Sequence, residues 1–109
     1  DVYKRQATVE LEVKGKVKKA AVMGDGPVDA TFKAIKKLTR MSPYLVNFSV
    51  GSITGGTDAL GECTVRLEHQ GHEVLGQGAH SDIIVASAKA YINALNKALD
   101  VTQRARVEI

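Results

Sequence analysis

The stretch ATVELEVKGKVKKAAVMGDGPVDATFKAI (residues 7–35) decides the fold, because residues 63–91 repeat it in the same order. A shift of 56 residues places one stretch on the other without a gap. Eight residues of the first copy are identical in the second: Thr8, Val9, Leu11, Glu12, Gly15, Ala30, Lys33 and Ala34. The signals for strand, turn and helix coincide as well, so the chain is predicted to hold two copies of one unit.

The first copy has the pattern of a β-hairpin followed by a helix. Residues 8–15 alternate between apolar and polar, which predicts a half-buried strand, and residues 16–24 read as its hairpin partner. Pro27 suits a first helical position, with Gly26 or Asp25 as the cap. The apolar stripe expected on this helix, which must end before Pro43, is Val28, Thr31, Phe32, Ile35 and Leu38.

The second copy has one strand more. Residues 44–54 alternate through Tyr44, Val46, Phe48 and Val50 and predict a strand before the GGTD turn at 55–58. Residues 59–71 and 72–78 then predict two further strands, and Ser81 or Asp82 can cap a last helix. The stripe predicted on that helix is Ile84, Ala88, Tyr91, Leu95 and Leu99.

These patterns predict an α+β fold, a tandem pseudo-repeat of two β-β-β-α units whose two helices pack on antiparallel sheets. The first strand of unit one is expected upstream of residue 7, which makes the chain a fragment. Residues 1–6 (DVYKRQ) match one reading frame of a transposon-end sequencing adapter and are interpreted as non-native. The predicted domain is 7–100, with unit one at 7–41, unit two at 44–100 and a C-terminal tail at 101–109.

Composition narrows the class of protein. The net charge of +3 permits an anionic partner without requiring one, and the basic residues are dense only between Lys14 and Lys19. A single cysteine, Cys63, excludes an internal disulfide and suits a reducing cytoplasm. No segment predicts a signal peptide or a membrane span, and no membrane partner is predicted.

The turn from Gly24 to Val28 corresponds to the turn from His80 to Ile84 in the second copy. Free N–H groups at the start of a helix suit a carboxylate or a phosphate. Asp25 and Asp82 would repel a phosphate, and the pattern GxxxxGK[ST] is absent. The two turns therefore favour a zwitterion that carries its own ammonium group, unless both acids are only helix caps.

Other functions find less support in the sequence. No constellation of nucleophile, base and orienting group is recognisable, and the histidine spacing does not predict a metal site. Residues 63–95 superficially resemble a double-stranded RNA-binding domain. Such domains reach phosphates with lysines at the start of the last helix. In this chain that start is HSDIIVAS, which has an aspartate and two isoleucines in place of the lysines. No nucleic acid partner is therefore predicted.

Three motifs together resemble the C-terminal regulatory (allosteric, dimerisation) domain of 2-isopropylmalate synthases: GDGPVDATFKAI (24–35), GGTDALGE (55–62) and DIIVASAKAYINALNKAL (82–99). Citramalate synthases have a related domain and are the close alternative. The resemblance implies a homodimer and L-leucine as the effector, or isoleucine in the alternative. It also implies a catalytic TIM barrel in the same polypeptide, which condenses acetyl-CoA with 2-oxoisovalerate and uses a divalent metal. No catalytic or metal-binding residue and no cofactor is therefore assigned to these 109 residues.

An amino-acid effector needs donors for its carboxylate, acceptors for its ammonium group and an apolar pocket. We predict that it binds where the two turns approach each other. The predicted effector-binding residues are Gly24, Asp25, Gly26, Pro27, Val28, Ala30, Ala79, Ser81, Asp82, Ile83 and Ala86. Each apolar member has core packing as its alternative role.

Overall fold

The computed structural model describes residues 5–13, 15–53 and 60–108, with side chains for residues 6–13, 15–52 and 60–99. The described elements are β1 (Arg5–Val13), β2 (Lys16–Gly24), α1 (Pro27–Thr39), β3 (Tyr44–Ile53), β4 (Leu60–His69), β5 (His72–His80) and α2 (Ile83–Glu108). They divide between two compact units, Asp1–Ser42 and Pro43–Ile109. The predicted α+β class and the antiparallel sheets are confirmed.

Unit 1 is an antiparallel hairpin of β1 and β2 on which α1 packs. Cross-strand partners share a face of the sheet, so Val9 and its partner Ala20 both face α1. The buried side chains described in the unit are those of Ala20, Ala30, Thr31, Phe32, Ala34, Ile35 and Leu38. Four of the five residues predicted for the α1 stripe are among them, and Val28 is half-buried.

Unit 2 is a sheet in the order β3-β4-β5, and α2 packs on β4 and β5. The face of β4 towards α2 carries Cys63, Val65 and Leu67, all fully buried. Cys63 is thus a small core residue. No helix in the described part of the chain has an apolar run long enough to cross a bilayer.

The two hairpins are equivalent in detail. Val9 pairs with Ala20 and, 56 residues later, Val65 pairs with Gly76, and the same offset relates the other pairs described in both hairpins. The turns contain Gly15 and Gly71, with φ values of 79° and 80°, a left-handed conformation that glycine adopts without a steric penalty. Both helices begin at equivalent positions, so the structure agrees with the predicted pseudo-repeat.

A bulge changes the predicted alternation of β3. The register shifts between Leu45 and Asn47, where Val46 is the extra residue. Leu45 consequently shares a face with Phe48 and Val50, while Tyr44 pairs with Glu68 on the other face. The prediction that Tyr44 and Val46 line up with Phe48 and Val50 is wrong for this reason.

The buried face of α2 also differs from the predicted stripe. Tyr91 and Leu95 are buried, but Ile84 and Leu99 are 38% and 41% exposed. Small residues occupy the centre of the contact: Ala86, Ser87, Ala90, Ala94 and Ala98. A Cβ at Gly76 would collide with the α2 backbone at Ala90 and Ala94, so close approach of helix and sheet selects alanine over leucine. The helical backbone continues to Glu108, through most of the predicted tail.

Candidate functional site

The start of α1 has no side-chain cap. Gly26 occupies the N-cap in an extended conformation, Pro27 follows, and the N–H of Ala30 donates to the Gly26 carbonyl at 2.9 Å. The first turn therefore presents the N–H groups of Val28 and Asp29 without a hydrogen-bond acceptor among the described residues. Their partial positive charge, with the helix dipole behind it, suits a carboxylate.

Asp29 organises the turn that precedes α1. Its Oδ2 accepts a hydrogen bond from the N–H of Asp25 at 2.9 Å and lies 3.2 Å from the Nζ of Lys33. The hydrogen bond from Asp25 and the charge of Lys33 together lower the pKa of the Asp29 carboxyl, although partial burial opposes them. The residue therefore stays ionised, and Asp25, predicted as a possible cap, contributes its backbone and not its side chain.

The start of α2 is built differently. The Oδ1 of Asp82 accepts a hydrogen bond from the N–H of Ile84 at 2.8 Å, so Asp82 is the cap, as one of the two sequence alternatives proposed. The N–H of Asp82 donates to the Nδ1 of His80 at 2.9 Å. The equivalent turns of the repeat thus use different chemistry: an acidic cap in unit 2 and an uncapped glycine in unit 1.

An open groove lies beside the start of α2. It has a volume of about 440 Å³ and is lined by Val50, Gly51, Ser52, Leu60, Gly61, Ser81 and Ile83. We call it the α2 groove. Its apolar walls are available because α2 covers β4 and β5 but leaves the Val50 side chain on β3 half exposed. Two hydroxyl groups, on Ser52 and Ser81, lie among these apolar residues.

The eleven predicted effector residues have different environments. Ser81 and Ile83 line the α2 groove, and Asp82 lies between them. Gly26 and Val28 are partly exposed at the start of α1, and Asp25 and Pro27 are exposed there. Ala79 is exposed on the face of the sheet away from α2, since its partner is Glu62.

The remaining three predicted effector residues are packed inside their own units. Ala30 and Ala86 are fully buried, and Gly24 is buried against the first turn of α1. A Cβ on Gly24 would lie 2.5 Å from the backbone nitrogen of Ala30. Gly24 is therefore needed for helix packing at this turn.

Sequence reasoning missed five lining residues of the α2 groove, namely Val50, Gly51, Ser52, Leu60 and Gly61. They lie 22 or more residues before Ile83 and reach it only through the sheet. The one available signal was the apolar alternation of β3, which assigns Val50 to a face but does not show that the helix leaves that face uncovered.

The described residues offer no metal centre, since no three histidine, cysteine, aspartate or glutamate side chains among them converge. Two buried groups keep their protons at neutral pH. Burial raises the pKa of the Cys63 thiol, whose Sγ lies 3.8 Å from the carbonyl oxygen of Ile83, and raises the pKa of Tyr91 to about 12.

A family model, the LeuA allosteric (dimerisation) domain, matches residues 2–99. Its match begins within the segment that the sequence suggests is non-native, and β1 also includes Arg5 and Gln6 from that segment.

Several curated proteins are similar to most of the chain. The 2-isopropylmalate synthase of Hydrogenovibrio crunogenus is 56% identical over 94 residues, which are 86% of this chain and 18% of that protein. The synthase of Nitratidesulfovibrio vulgaris is 52% identical over 91 residues, 84% of this chain and 18% of its own length. That of Vesicomyosocius okutanii is 51% identical over 106 residues, 97% of this chain and 21% of its length. The chain thus spans about a fifth of the relatives that it matches.

Proposed function

Because the chain belongs to the family of LeuA allosteric (dimerisation) domains, we propose that it is the regulatory domain of a cytoplasmic 2-isopropylmalate synthase and binds L-leucine for feedback inhibition. The catalytic barrel, its divalent metal and its substrates acetyl-CoA and 2-oxoisovalerate belong to other parts of the same polypeptide. The regulatory domain contributes to a homodimer.

The observation that carries the proposal is the α2 groove. A branched aliphatic side chain needs an apolar surface that its own helix has not already covered. The groove provides one in Val50, Leu60 and Ile83. Its volume of about 440 Å³ falls in the range of small-molecule sites.

Polar groups for an amino acid lie at the same turn. The Asp82 cap uses Oδ1, and no described residue donates to its other carboxylate oxygen, which is free to accept from an ammonium group. The hydroxyls of Ser52 and Ser81 offer donors to a carboxylate.

The start of α1 supplies a second set of donors. The N–H groups of Val28 and Asp29 lack a capping side chain, which favours a ligand carboxylate as the cap. The negative charge of Asp29 is partly neutralised by Lys33, so the repulsion of a carboxylate is reduced. In unit 1 the proposed effector-binding residues are Asp25, Gly26 and Val28. In unit 2 they are Ser81, Asp82 and Ile83, with the lining residues of the α2 groove. The buried Ala30 and Ala86 support the helix start of their own unit.

Inhibition then follows from linkage. Leucine must bind a less active arrangement of the dimer more tightly than the active one, and the difference in affinity sets the degree of inhibition.

The test is a chimera in which residues 7–99 replace the matching domain of the Hydrogenovibrio crunogenus synthase. We expect leucine to inhibit it, and Gly26→Phe to weaken inhibition at least tenfold while basal activity persists. A Cβ at Gly26 meets nothing within 4 Å and its φ of −161° suits any residue, so the fold should tolerate the change.

The matched control is Val17→Phe, which adds bulk at a site 67% exposed on β2. It should leave inhibition unchanged. Unchanged inhibition in Gly26→Phe would remove the α1 turn from the site. Inhibition by isoleucine instead of leucine would reassign the chain to the regulatory domains of citramalate synthases.

A further inference from the structure

Unit 1 contains another concave surface, which we call the basic groove. It lies between β2 and the C-terminal end of α1 and has a volume of about 590 Å³. Its lining residues are Lys18, Lys19, Ala20, Ala21, Lys37, Leu38 and Arg40. Four of these seven residues are cationic and none is acidic. Lys19 pairs with Glu10 on the face of the hairpin away from α1, so the charge on the helix side comes from Lys18, Lys37 and Arg40.

The four cationic side chains of the basic groove form no ion pairs with acidic side chains among the described residues. Lys33 pairs with Asp29, and Arg66 pairs with Glu73 across the hairpin of unit 2. Several like charges in one concavity repel each other, and a bound anion relieves that repulsion.

The repeat shows that the fold does not require this charge. In unit 2 the equivalent positions are Val74, Leu75, Gly76, Gln77, Asn93, Ala94 and Asn96, all uncharged. There the N–H of Gln77 donates to the Oδ1 of Asn93 at 3.1 Å, so the strand and the helix bond to each other. The basic lining is therefore a property of unit 1 alone.

The dipole of α1 explains only part of the cluster. Basic residues in a last helical turn stabilise the partial negative charge of the carbonyls there, which accounts for Lys37. It does not account for Lys18 and Lys19, which lie on the strand. Because Lys18 pairs with Leu11 and faces the helix side, it adds charge to the groove and not to the opposite surface.

We propose that the basic groove binds a small polyanion with three or more negative charges, borne by phosphate or carboxylate groups. The volume is that of a small-molecule site and not of an extended macromolecular surface. Arg40 offers a planar fork for an oxyanion, and Lys18 and Lys37 offer point charges. The buried Ala20 and Leu38 form a floor for an apolar part of the ligand.

Tripolyphosphate and citrate are the probes for the 109-residue chain, titrated by calorimetry and followed by amide chemical shifts. We expect saturable binding that weakens as salt rises, with the largest shifts at Ala20, Ala21 and Leu38. Tighter binding of tripolyphosphate assigns the site to phosphate groups, and tighter binding of citrate assigns it to carboxylates. Monophosphate should bind at least tenfold more weakly than the better probe.

The double variant Lys37→Gln/Arg40→Gln should weaken binding of the better probe at least tenfold. The control Arg66→Gln/Lys89→Gln removes the same charge from unit 2 and should change it less than twofold. Equal weakening by the two variants would show diffuse attraction and overturn the proposal. Failure of both probes to bind a chain with native amide dispersion, or binding of duplex RNA or an acidic peptide instead, would overturn it as well.

Discussion

Asp82 accepts a 2.8 Å hydrogen bond from the N–H of Ile84, whereas Gly26, its counterpart 56 residues earlier, has no side chain to cap α1. One copy of the repeat satisfies its own helix start and the other leaves it available to a ligand. The two turns have the same place in the fold, so this difference comes from one side chain.

Replacing the cap should destabilise unit 2. We expect Asp82→Ala to lower the free energy of unfolding by about 1 kcal/mol, the usual cost of losing an N-cap. Asp25→Ala is the control, because the Asp25 side chain caps nothing and its backbone N–H would still reach Asp29. Urea denaturation of both variants measures the difference, and equal losses would contradict the assignment of the cap.

Asp29 should titrate below the ordinary aspartate value of 3.8. A carboxyl whose pKa is lowered by folding stabilises the protein above its unfolded pKa. That contribution is lost as pH falls through the folded pKa. Carboxyl-detected NMR gives the pKa directly.

The causes of the lowered pKa can be separated. Lys33→Gln should raise the Asp29 pKa only in part, since the hydrogen bond from Asp25 is the larger cause and survives the change. Return of the pKa to its ordinary value in this variant would contradict that order of causes.

Gly76→Ala should be among the most damaging single-methyl additions to unit 2. Its Cβ would lie 2.5 Å from the backbone nitrogen of Ala94, so the helix must move away from the sheet, at a cost of about 1–3 kcal/mol. Gly51→Ala is the matched control, because a Cβ there meets nothing within 4 Å. Thermal unfolding should separate the two, and a neutral Gly76→Ala would contradict the close packing.

Much of this fold follows from local patterns. The hairpins and the helix starts were predictable because alternation, turn glycines and Pro27 act over a few residues. Each strand, turn or helix predicted in one copy was then supported by the equivalent pattern in the other copy. The bulge at Val46 was not predictable, because a one-residue offset arises from pairing with β4 and leaves no local signal.

The face of α2 was predicted only in part, with Tyr91 and Leu95 correct and Ile84 and Leu99 not, for a physical reason. Apolar periodicity gives weight to large residues such as Ile84 and Leu99. The helix instead approaches Gly76 and Gly78 through Ala86, Ala90 and Ala94, where the close contact leaves room only for small side chains. For the candidate site, the sequence identified the two turns but not Val50 or Leu60 on the neighbouring strands. Those residues reach the turn only through the sheet.

The Cys63 thiol should resist alkylation in the native state. It is fully buried, and burial raises its pKa, so both access and the thiolate fraction are small. We expect iodoacetamide to modify it at least a hundredfold faster in concentrated urea than in buffer at pH 8. Comparable rates would contradict its place in the core.

The central claim is tested most directly by calorimetric titration of L-leucine into the catalytically active chimera. We expect saturable heat with leucine. The affinity for leucine should fall at least tenfold in Gly26→Phe and stay unchanged in Val17→Phe. D-Leucine should bind more weakly, because its carboxylate and ammonium groups cannot both keep their partners when the side chain stays in its pocket. Absence of saturable heat with leucine, while the chimera retains catalytic activity, would contradict the account.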